Sequence, residues 1–561
     1  MAHRARPLSS AQAVRFTQTI TLLRSGRHPQ ALAIAETLVE EAPLAADAWQ
    51  LLGMCLADGG QAARSDAAFE HALGLAPGNI SVSRNYGVCL ALRGKSLRAQ
   101  DQFDAAASVL RKALALSDEL VSAWVDLGVV LRRLGRIDEA LAALQRAKQM
   151  LEARGAHTFE VCDAINGVLA DAGRPADALA GARELVATHP DHAPAHETLS
   201  NLLWEHGERH APGEDPVSEF RIAARAQLDN KPLQLSFARM LLASQRADEA
   251  LAVLHPLRKR EPDDPLLAWF AADALDALQE REPATRLYQA ASRGALAELP
   301  EFLNARARNA FRTQRFDLAA RCAETVVSRD PVNQEGWCHL STAWRLMGDA
   351  REHWLCDYDA LVGDVEVLPP QGYADMTSFL ASLGTVLEGM HTASRGPVNQ
   401  SVRGGSQTAG QLFGRDIPVI REAEDALRIA VERWLTNLPD RAGHPFLARK
   451  ERSVQCVGSW SVRLKASGRH ANHLHPKGWA SSAFYVALPD EMLAGDAPSR
   501  AGWLQLGQPM ESLELDLPPR RLVQPRPGHL ALFPSYMWHG TVPFESDACR
   551  LTVAFDMQPR R

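Results

Sequence analysis

The sequence lacks the features that mark several specialised classes of protein. Its eight cysteines include no Cys-x-x-Cys pair, which argues against a zinc module and against a disulfide framework. No apolar run reaches the length of a membrane span, and the N-terminus has no apolar core of a secretory signal. The net charge of −6 provides no broad basic field, so we expect no nucleic-acid partner. These absences favour a cytoplasmic protein without a membrane partner.

The length and the sequence patterns predict two domains of different class. A chain of 561 residues is too long for a single hydrophobic core. Residues 1–362 are self-similar with a period of about 34 residues, which is typical of a helical repeat. Residues 363–372 contain prolines and glycines and are predicted to be a linker. Residues 373–561 form the second predicted domain, because short strand patterns are concentrated there.

Two stretches of the self-similar region show its pattern most clearly. Large and small residues recur at matching positions in Trp49, Leu52, Gly53, Leu56, Phe69, Ala72 and Pro77, and again in Trp124, Leu127, Gly128, Leu131, Gly135, Ala140, Leu144 and Ala147. This spacing is that of the tetratricopeptide repeat, in which small residues let paired helices approach closely and proline ends the second helix. Stacked pairs form an α-solenoid, whose concave face is expected to bind a protein or peptide.

A histidine-rich stretch between Glu205 and Pro216 interrupts the repeats. Histidines next to acidic residues could bind a metal ion. However, glycine and proline in the same stretch favour an irregular connection between helices. We therefore predict a solvated loop here.

A second group of histidines lies in the C-terminal domain. His470, His473 and His475 fall within six residues, and His539 follows much later. Short runs rich in apolar, β-branched or aromatic residues predict strands at 460–464, 482–489, 529–533 and 550–555. In an extended strand, His473 and His475 would project to the same face. Imidazoles on an all-β frame can form one face of an iron, zinc or copper coordination sphere.

The combination of motifs around these histidines resembles a known enzyme family. The elements are the His-x-His pair, a tyrosine-bearing strand, Pro525-x-x-Gly-x-x-x-x-Phe-Pro534, the distal His539 and then Arg550. Together they resemble the double-stranded β-helix, or jelly-roll, of the Fe(II)- and 2-oxoglutarate-dependent oxygenases over roughly residues 370–561. Upstream, Asn399-Gln-Ser-Val-Arg-Gly-Gly-Ser-Gln-Thr408 resembles the Arg-Gly-Gly-(Thr/Ser)-Gln-Thr signature of one bacterial branch.

This resemblance implies roles for individual residues. His473 and His539 would be iron ligands, and Arg550 would bind the distal carboxylate of 2-oxoglutarate. An arginine suits this role because its planar fork binds a carboxylate through two hydrogen bonds. Thr552 and Tyr485 are the candidate hydroxyl donors beside it. The implied reaction is hydroxylation with dioxygen, Fe(II) and 2-oxoglutarate. The pairing with a repeat array suggests that the array recruits a protein or peptide as the substrate.

The sequence departs from the family pattern at His475. The wider superfamily has an aspartate at this position, which completes a set of two histidines and one carboxylate. Three alternatives remain open: the site has three histidine ligands, the carboxylate comes from elsewhere, or His475 is not a ligand. His470 lies outside the motif spacing, so we predict no ligand role for it.

Two other functions are compatible with the sequence. The domain could be a three-histidine iron dioxygenase that does not use 2-oxoglutarate. Alternatively, the chain could be a non-enzymatic tetratricopeptide scaffold with a degenerate β-barrel. The glycine-rich loop predicted at 403–411 could line the mouth of the active site or only pack on the barrel.

Overall fold

The computed structural model describes residues 6–398, 400–493 and 500–560. Asn399, the first residue of the signature stretch, lies outside the described residues. The chain forms two compact units, which divide between Val168 and Leu169. Within the described residues, every strand lies at or beyond Gly363, so the predicted order of a helical array followed by a β-domain is confirmed.

The first unit is built from antiparallel helix pairs. Its helices are α1 (Ser10–Arg24), α2 (His28–Glu41), α3 (Ala46–Asp58), α4 (Ala62–Leu75), α5 (Ile80–Ala99), α6 (Phe103–Leu116), α7 (Val121–Arg133), α8 (Ile137–Ala153) and α9 (Phe159–Asp171), the last of which crosses the division. Consecutive helices pack as pairs, such as α3 with α4 and α7 with α8. This is the arrangement that the tetratricopeptide spacing predicts.

Glycines set how closely the paired helices approach. A Cβ atom on Gly53 would lie 2.7 Å from the ring of Phe69, and one on Gly128 would lie 2.5 Å from Cγ of Leu144. Both neighbouring side chains are fully buried. Only hydrogen fits at these two crossings, which explains the recurrence of glycine in the repeat.

A tryptophan bond also recurs where repeats begin. The indole nitrogen donates to the carbonyl oxygen six residues earlier at 2.9 Å in each of three pairs, Trp49 to Pro43, Trp124 to Asp118 and Trp337 to Pro331. This bond fixes the turn between one repeat and the next.

The second unit begins with further helix pairs. They are α10 (Pro175–Thr188), α11 (Ala193–His210), α12 (Ser218–Ala226), α13 (Lys231–Ala243), α14 (Ala247–Arg260), α15 (Pro265–Ala277), α16 (Arg281–Ala291), α17 (Pro300–Arg312), α18 (Phe316–Arg329), α19 (Gln334–Met347), α20 (Arg351–Leu355) and α21 (Tyr358–Leu361). Short 3₁₀ turns occur at Gly294–Glu298, Leu447–Arg449 and Glu511–Leu513. The same unit contains the β-domain, so these helices and the strands share one compact body.

The strands form two antiparallel sheets. They are β1 (Gly363–Glu366), β2 (Val402–Gln407), β3 (Val454–His470), β4 (Ala480–Ala487), β5 (Leu504–Leu506), β6 (Arg521–Val523), β7 (His529–Pro534), β8 (His539–Thr541) and β9 (Arg550–Pro559). The large sheet has the order β1-β7-β4-β9-β3-β2, and the small sheet has the order β6-β5-β8. This curled antiparallel arrangement is that of a jelly-roll-like domain, as predicted.

Two helices support the large sheet from outside. They are α22 (Met376–Met390), which packs on β4, and α23 (Pro418–Asn437), which packs on β1 and β7; a short helix, α24 (Asp490–Leu493), follows β4. Leu383 and Leu427 lie in the same buried cluster as Val486 and Leu551 of the sheet. The outward face of the sheet is thereby sealed, and the opposite face is left to line a cavity.

Three segments differ from their predicted structure. The predicted linker supplies β1, whose residues pair with β7, because alternation in Gly363–Glu366 suits an edge strand. The glycine-rich loop predicted at 403–411 begins as strand β2. The histidine-rich stretch is helical as far as His210, and His206 within it is buried. Packing of α11 in the array therefore overrides the local signal of a solvated loop.

No helix of the described residues has both the length and the apolar composition needed to cross a membrane.

Replacement of Gly128 by alanine is expected to destabilise the first unit. Overpacking against Leu144 costs about 1–3 kcal/mol. This outweighs the gain of about 1 kcal/mol that alanine brings to a helix interior. The matched control is Gly74→Ala in α4, because Gly74 is exposed and an added Cβ would meet no atom within 4 Å. Thermal unfolding should show a lower Tm for Gly128→Ala only; equal Tm values would contradict the packing argument.

Glu205 should make stability depend on pH. Burial, reinforced by Asp171, raises its pKa from 4.5 to about 7. Between these values the folded chain binds more protons than the unfolded chain, so stability is lost as pH rises through this window. We expect Glu205→Gln to stabilise the protein by about 1–2 kcal/mol at pH 8 and much less at pH 5. The exposed Glu184→Gln is the control, and Tm values that shift equally at both pH values would refute the prediction.

Candidate metal centre

The chain brings His473 and His539 together through the backbone. His473 lies just beyond the end of β3, and His539 begins β8. Their peptide groups exchange two hydrogen bonds of 2.9 Å, from each N–H to the other C=O. The N–H of His475 donates to the carbonyl of Ser535 at 3.2 Å. The two histidines of the His-x-His pair thus lie in an extended segment that leaves the regular strand, rather than in the strand itself.

The ring orientation of all three histidines is fixed by hydrogen bonds at Nδ1. Nδ1 of His473 lies 2.8 Å from the carbonyl oxygen of Ala471, and Nδ1 of His539 lies 3.0 Å from that of Met537. A carbonyl oxygen can only accept, so each Nδ1 carries the proton and each Nε2 keeps its lone pair. Neutral imidazole with a free Nε2 is the form that binds a metal ion.

The spacing of the three rings suits one metal ion. Nε2 of His473 lies 3.0 Å from Nε2 of His475, and one ring nitrogen from each of the three histidines lies within 4.8 Å of the others. Two metal–nitrogen bonds of about 2.1 Å at a right angle would separate the nitrogens by about 3.0 Å. The rings of His473 and His539 have centroids 4.2 Å apart. The three nitrogens can therefore form one face of a coordination sphere.

A carboxylate stands behind His475. Nδ1 of His475 donates to Oδ1 of Asp556 at 2.5 Å, and the hydroxyl of Ser481 donates to the same oxygen at 2.7 Å. Asp556 is buried. A carboxylate in this position orients the imidazole and increases the basicity of its other nitrogen. The carboxyl group that the resembled family has at the third ligand position is therefore present here behind His475, one imidazole further from the cavity.

Burial keeps His473, His539 and the nearby His470 neutral. It lowers the pKa of His473 and of His539 well below the usual value of 6.5, and neighbouring imidazoles lower them further. Burial also lowers the pKa of His470 to about 3, with Arg550 contributing. These rings therefore carry no proton on their free nitrogen at neutral pH, which leaves the lone pairs available to a cation.

Arg550 points into the same cavity without an acidic partner in the described part of the chain. Its side chain is buried, Nη1 donates to the hydroxyl of Thr541 at 3.1 Å, and Nε has no hydrogen-bond partner among the described residues. The guanidinium lies 5.4 Å from the ring centre of Tyr485. Burial lowers the pKa of Arg550, which measures the cost of desolvating the charge. A buried guanidinium of this kind is stabilised when an anion binds beside it.

The hydroxyl of Tyr485 is also buried beside this guanidinium. It makes no hydrogen bond of normal geometry within the described chain. Burial raises its pKa to about 12, and the nearby charge of Arg550 opposes that rise. Tyr485 is therefore a neutral donor. It and Nε of Arg550 are two buried groups that an incoming carboxylate would satisfy.

These groups surround a cavity of about 40 Å³. Its lining comes from β2, β3, β4, β7, β8, β9 and the connections before β2 and after β3, and includes Gln400, Ser401, Gln407, Trp460, His470, His473, His475, Ser482, Phe533, His539, Thr541, Arg550 and Thr552. Of the predicted site residues, the three histidines, Arg550 and Thr552 line it directly. Tyr485 does not line the cavity itself but contacts Arg550, which does.

Some residues of the site were not assigned a role from sequence. The hydroxyl of Ser401 lies 3.0 Å from Nδ1 of His470 and 3.2 Å from Nε2 of His473. His470 therefore lies at the cavity although the motif spacing excludes it as a ligand. Asp556 could have been found, because Arg550, Thr552 and Asp556 alternate along one face of β9. Ser401 lies in the signature stretch at 399–408, but the resemblance gives no role to this residue.

Family models match the two parts of the chain. The model described as "Putative 2OG-Fe(II) oxygenase" matches residues 458–556, which include all three clustered histidines and Arg550. The tetratricopeptide repeat model matches residues 17–80 and 92–154. The chain carries N-terminal tetratricopeptide repeats and, in its C-terminal part, a domain that matches the putative 2OG-Fe(II) oxygenase model. Both parts of the predicted family assignment are thereby confirmed; the signature stretch at 399–408 lies outside the matched residues and stays a prediction.

Solved structures are similar to the helical part. MamA of AMB-1 is 24% identical with a TM-score of 0.26, covering 32% of this chain and 92% of that chain. MamA of Desulfovibrio magneticus RS-1 is 16% identical with a TM-score of 0.26, covering 33% and 98%. Yeast Tom70 is 11% identical with a TM-score of 0.34, covering 61% and 90%. These scores are too low to support a functional argument. No curated protein matches the chain.

Replacement of Asp556 by asparagine is expected to weaken metal binding. Asparagine keeps the shape but removes the charge that orients His475, and loss of such a partner typically costs about 10–100-fold in metal affinity. The measurement is anaerobic titration with Fe(II), or with Co(II) followed by its visible absorbance. Asp425→Asn on the exposed face of α23 is the control. Equal affinity in both variants would exclude an orienting role for Asp556.

Proposed function

We propose that the C-terminal domain is an Fe(II)- and 2-oxoglutarate-dependent oxygenase that hydroxylates a protein or peptide. The observation that carries this proposal is the pairing of two features in one cavity. Three imidazoles present free nitrogens at metal-binding distance, and beside them a buried arginine lacks an anion among the described residues. A divalent cation would bind the imidazole nitrogens, and a dicarboxylate would pair with the arginine.

His473 and His539 are proposed as iron ligands, with His475 as the third. This choice resolves the alternatives at His475 in favour of a three-histidine set backed by Asp556. The backbone bonds between His473 and His539 hold these two rings on one side of the cavity. The opposite side stays open for substrate, co-substrate and dioxygen. Fe(II) bound with 2-oxoglutarate would supply the activation of dioxygen.

Arg550 is proposed to bind the distal carboxylate of 2-oxoglutarate. Its fork can donate two parallel hydrogen bonds, and its charge is already desolvated. Thr552, on the same face of β9, and Tyr485 are the proposed hydroxyl donors. Thr541 holds one end of the guanidinium, which limits its rotation. The side chains thus orient the co-substrate before the substrate arrives.

In the proposed reaction, 2-oxoglutarate takes up the second oxygen atom of dioxygen and supplies the two further electrons. One oxygen atom of dioxygen enters the C–H bond of the substrate to give C–OH. The other enters 2-oxoglutarate, which loses carbon dioxide and leaves as succinate. The two electrons that the hydroxylation needs beyond the C–H bond come from this decarboxylation, so no further reductant is required in the cycle.

We further propose a protein or peptide partner for the helical array and a cellular location for the protein. Tetratricopeptide repeats are interaction modules, and the array is proposed to recruit the protein or peptide substrate through its concave face. The reducing compartment that free cysteines suit makes the cytoplasm the proposed location. The assignment of a protein or peptide substrate rests on the pairing of the two domains.

A three-histidine dioxygenase that does not use 2-oxoglutarate is the alternative enzyme. It would account for the three histidines but would not explain why the guanidinium of Arg550 is buried beside them. The buried guanidinium therefore favours the 2-oxoglutarate-dependent reaction. A non-enzymatic scaffold is less favoured for the same reason, since a degenerate site would not be expected to retain a costly desolvated charge.

Replacement of Arg550 tests the co-substrate. Lysine keeps the charge but loses the fork, so Arg550→Lys should bind 2-oxoglutarate roughly 10-fold more weakly, and Arg550→Ala roughly 100-fold more weakly. Binding is measured by anaerobic titration of the Fe(II)-loaded protein through its charge-transfer absorbance, and turnover by succinate formation. Fe(II) affinity should change little in either variant, which separates loss of the anion site from loss of the fold.

The exposed Arg526→Lys is the matched control. Unchanged 2-oxoglutarate binding and turnover in Arg550→Lys and Arg550→Ala would refute the proposed role of Arg550. Oxygen consumption without any requirement for 2-oxoglutarate would favour the alternative dioxygenase instead.

A further inference from the structure

A groove of about 570 Å³ lies beside the candidate metal centre, within the second unit. One wall comes from the helical array and the other from β2, β3 and the segment before β2. The lining residues are Trp204, Ala243, Gln245, Ser394, Arg395, Gly396, Pro397, Val398, Val402, Arg403, Gly404, Gly405 and Lys465. The groove is much larger than the cavity of about 40 Å³ around the histidines.

One short segment separates the groove from the metal centre. Gln400 and Ser401 line the cavity of the histidines, whereas Val402 to Gly405 line the groove. Ser401 lies within 3.2 Å of Nε2 of His473. Successive residues of a strand are about 3.3 Å apart, so Arg403 is only about 7 Å along the chain from Ser401. A chain bound in the groove would therefore lie next to the proposed reaction centre.

The groove carries positive charge that the described chain does not neutralise. Arg403 and Lys465 are exposed, and neither forms an ion pair with a carboxylate in the described residues. Arg403 donates only to the carbonyl oxygens of Gln400 and Val402. The third cation, Arg395, stacks on Trp204 and pairs with Glu208. The lining contains no acidic residue, so the groove complements a negatively charged ligand.

The backbone of β2 offers a second mode of recognition. β2 is the edge of the large sheet, and among the described residues it pairs with β3 alone. Alternate peptide groups of an edge strand point away from its neighbour and can pair with another chain. Gly404, with a φ of 67°, forms a bulge that interrupts this edge, so an added chain would pair with the extended residues on either side of it. Peptide recognition by strand addition uses such an edge.

We propose that this groove binds an extended, acidic segment of the protein substrate. Carboxylates of the segment pair with Arg403 and Lys465, and its backbone adds to the free edge of β2. The substrate class of the oxygenase would then be an acidic, unfolded segment that passes the metal centre. This assignment of substrate rests on the proposed function, but the binding itself does not.

The test is peptide binding to the full chain, measured by fluorescence anisotropy. The probes are a labelled short peptide of alternating aspartate and valine and its counterpart with lysine in place of aspartate. The groove variant is Arg403→Glu with Lys465→Glu, and Arg403→Gln with Lys465→Gln is a milder version. The control is Arg286→Glu, because Arg286 is exposed on α16 and does not line the groove.

The acidic peptide should bind the wild type at least about 10-fold more tightly than the lysine peptide, and added salt should weaken it. Both groove variants should lose at least about 10-fold in affinity, whereas Arg286→Glu should keep it. Equal binding to the wild type and the groove variants would overturn the proposal. So would a single-stranded oligonucleotide that binds the groove more tightly than the peptide.

The same variants separate this proposal from the proposed function. Binding of Fe(II) and 2-oxoglutarate to the groove variants should equal that of the wild type, because neither residue touches the histidines or Arg550. Acidic-peptide binding without any 2-oxoglutarate binding would support the groove and refute the proposed reaction. Normal 2-oxoglutarate turnover with no groove-dependent peptide binding would support the proposed reaction and refute the groove as a peptide site.

Discussion

The site depends on three hydrogen bonds that the chain makes at the Nδ1 atoms of its histidines. Each bond fixes the rotation of one ring and leaves the lone pair of Nε2 on the cavity side. For His473 and His539 the acceptors are backbone carbonyls only two residues away, so local geometry suffices. For His475 the acceptor is Asp556, on a distant strand. The cluster therefore forms only when the barrel has closed.

The helical array takes part in holding this geometry. The turn that precedes His539 is bound to the last helices before the β-domain: the indole of Trp538 donates to Thr342 at 2.9 Å, and the hydroxyl of Tyr536 donates to the carbonyl of Leu355 at 2.7 Å. Both aromatic side chains are buried. Helices α19 and α20 thus form part of the wall of the barrel, and substitutions that disturb their packing should also disturb the candidate metal centre.

The sequence predicted the parts of this protein that are periodic and missed those that depend on distant contacts. Glycine and leucine spacing predicted the helix pairs, and strand alternation placed Arg550 and Thr552 on one face. The same alternation places Asp556 on that face, but nothing in the local sequence indicates that its partner is His475. Glycine and proline after Glu205 predict a loop, yet packing in the array makes this stretch helical as far as His210. Both the contact between Asp556 and His475 and the helix after Glu205 depend on burial. Burial arises only when distant parts of the chain pack together, so the local sequence does not reveal it.

The replacement of the family's aspartate by His475 changes the net charge of the proposed site less than the residue types suggest. In the usual set, a carboxylate ligand offsets one charge of the iron directly. Here Asp556 offers the same negative charge through the imidazole of His475, and Arg550 contributes one positive charge in both arrangements. With a doubly negative co-substrate, the formal charges of the proposed site still cancel. A buried cavity tolerates such a neutral set, whereas the cation alone or the anion alone would leave uncompensated charge. Metal and co-substrate should therefore stabilise each other's binding.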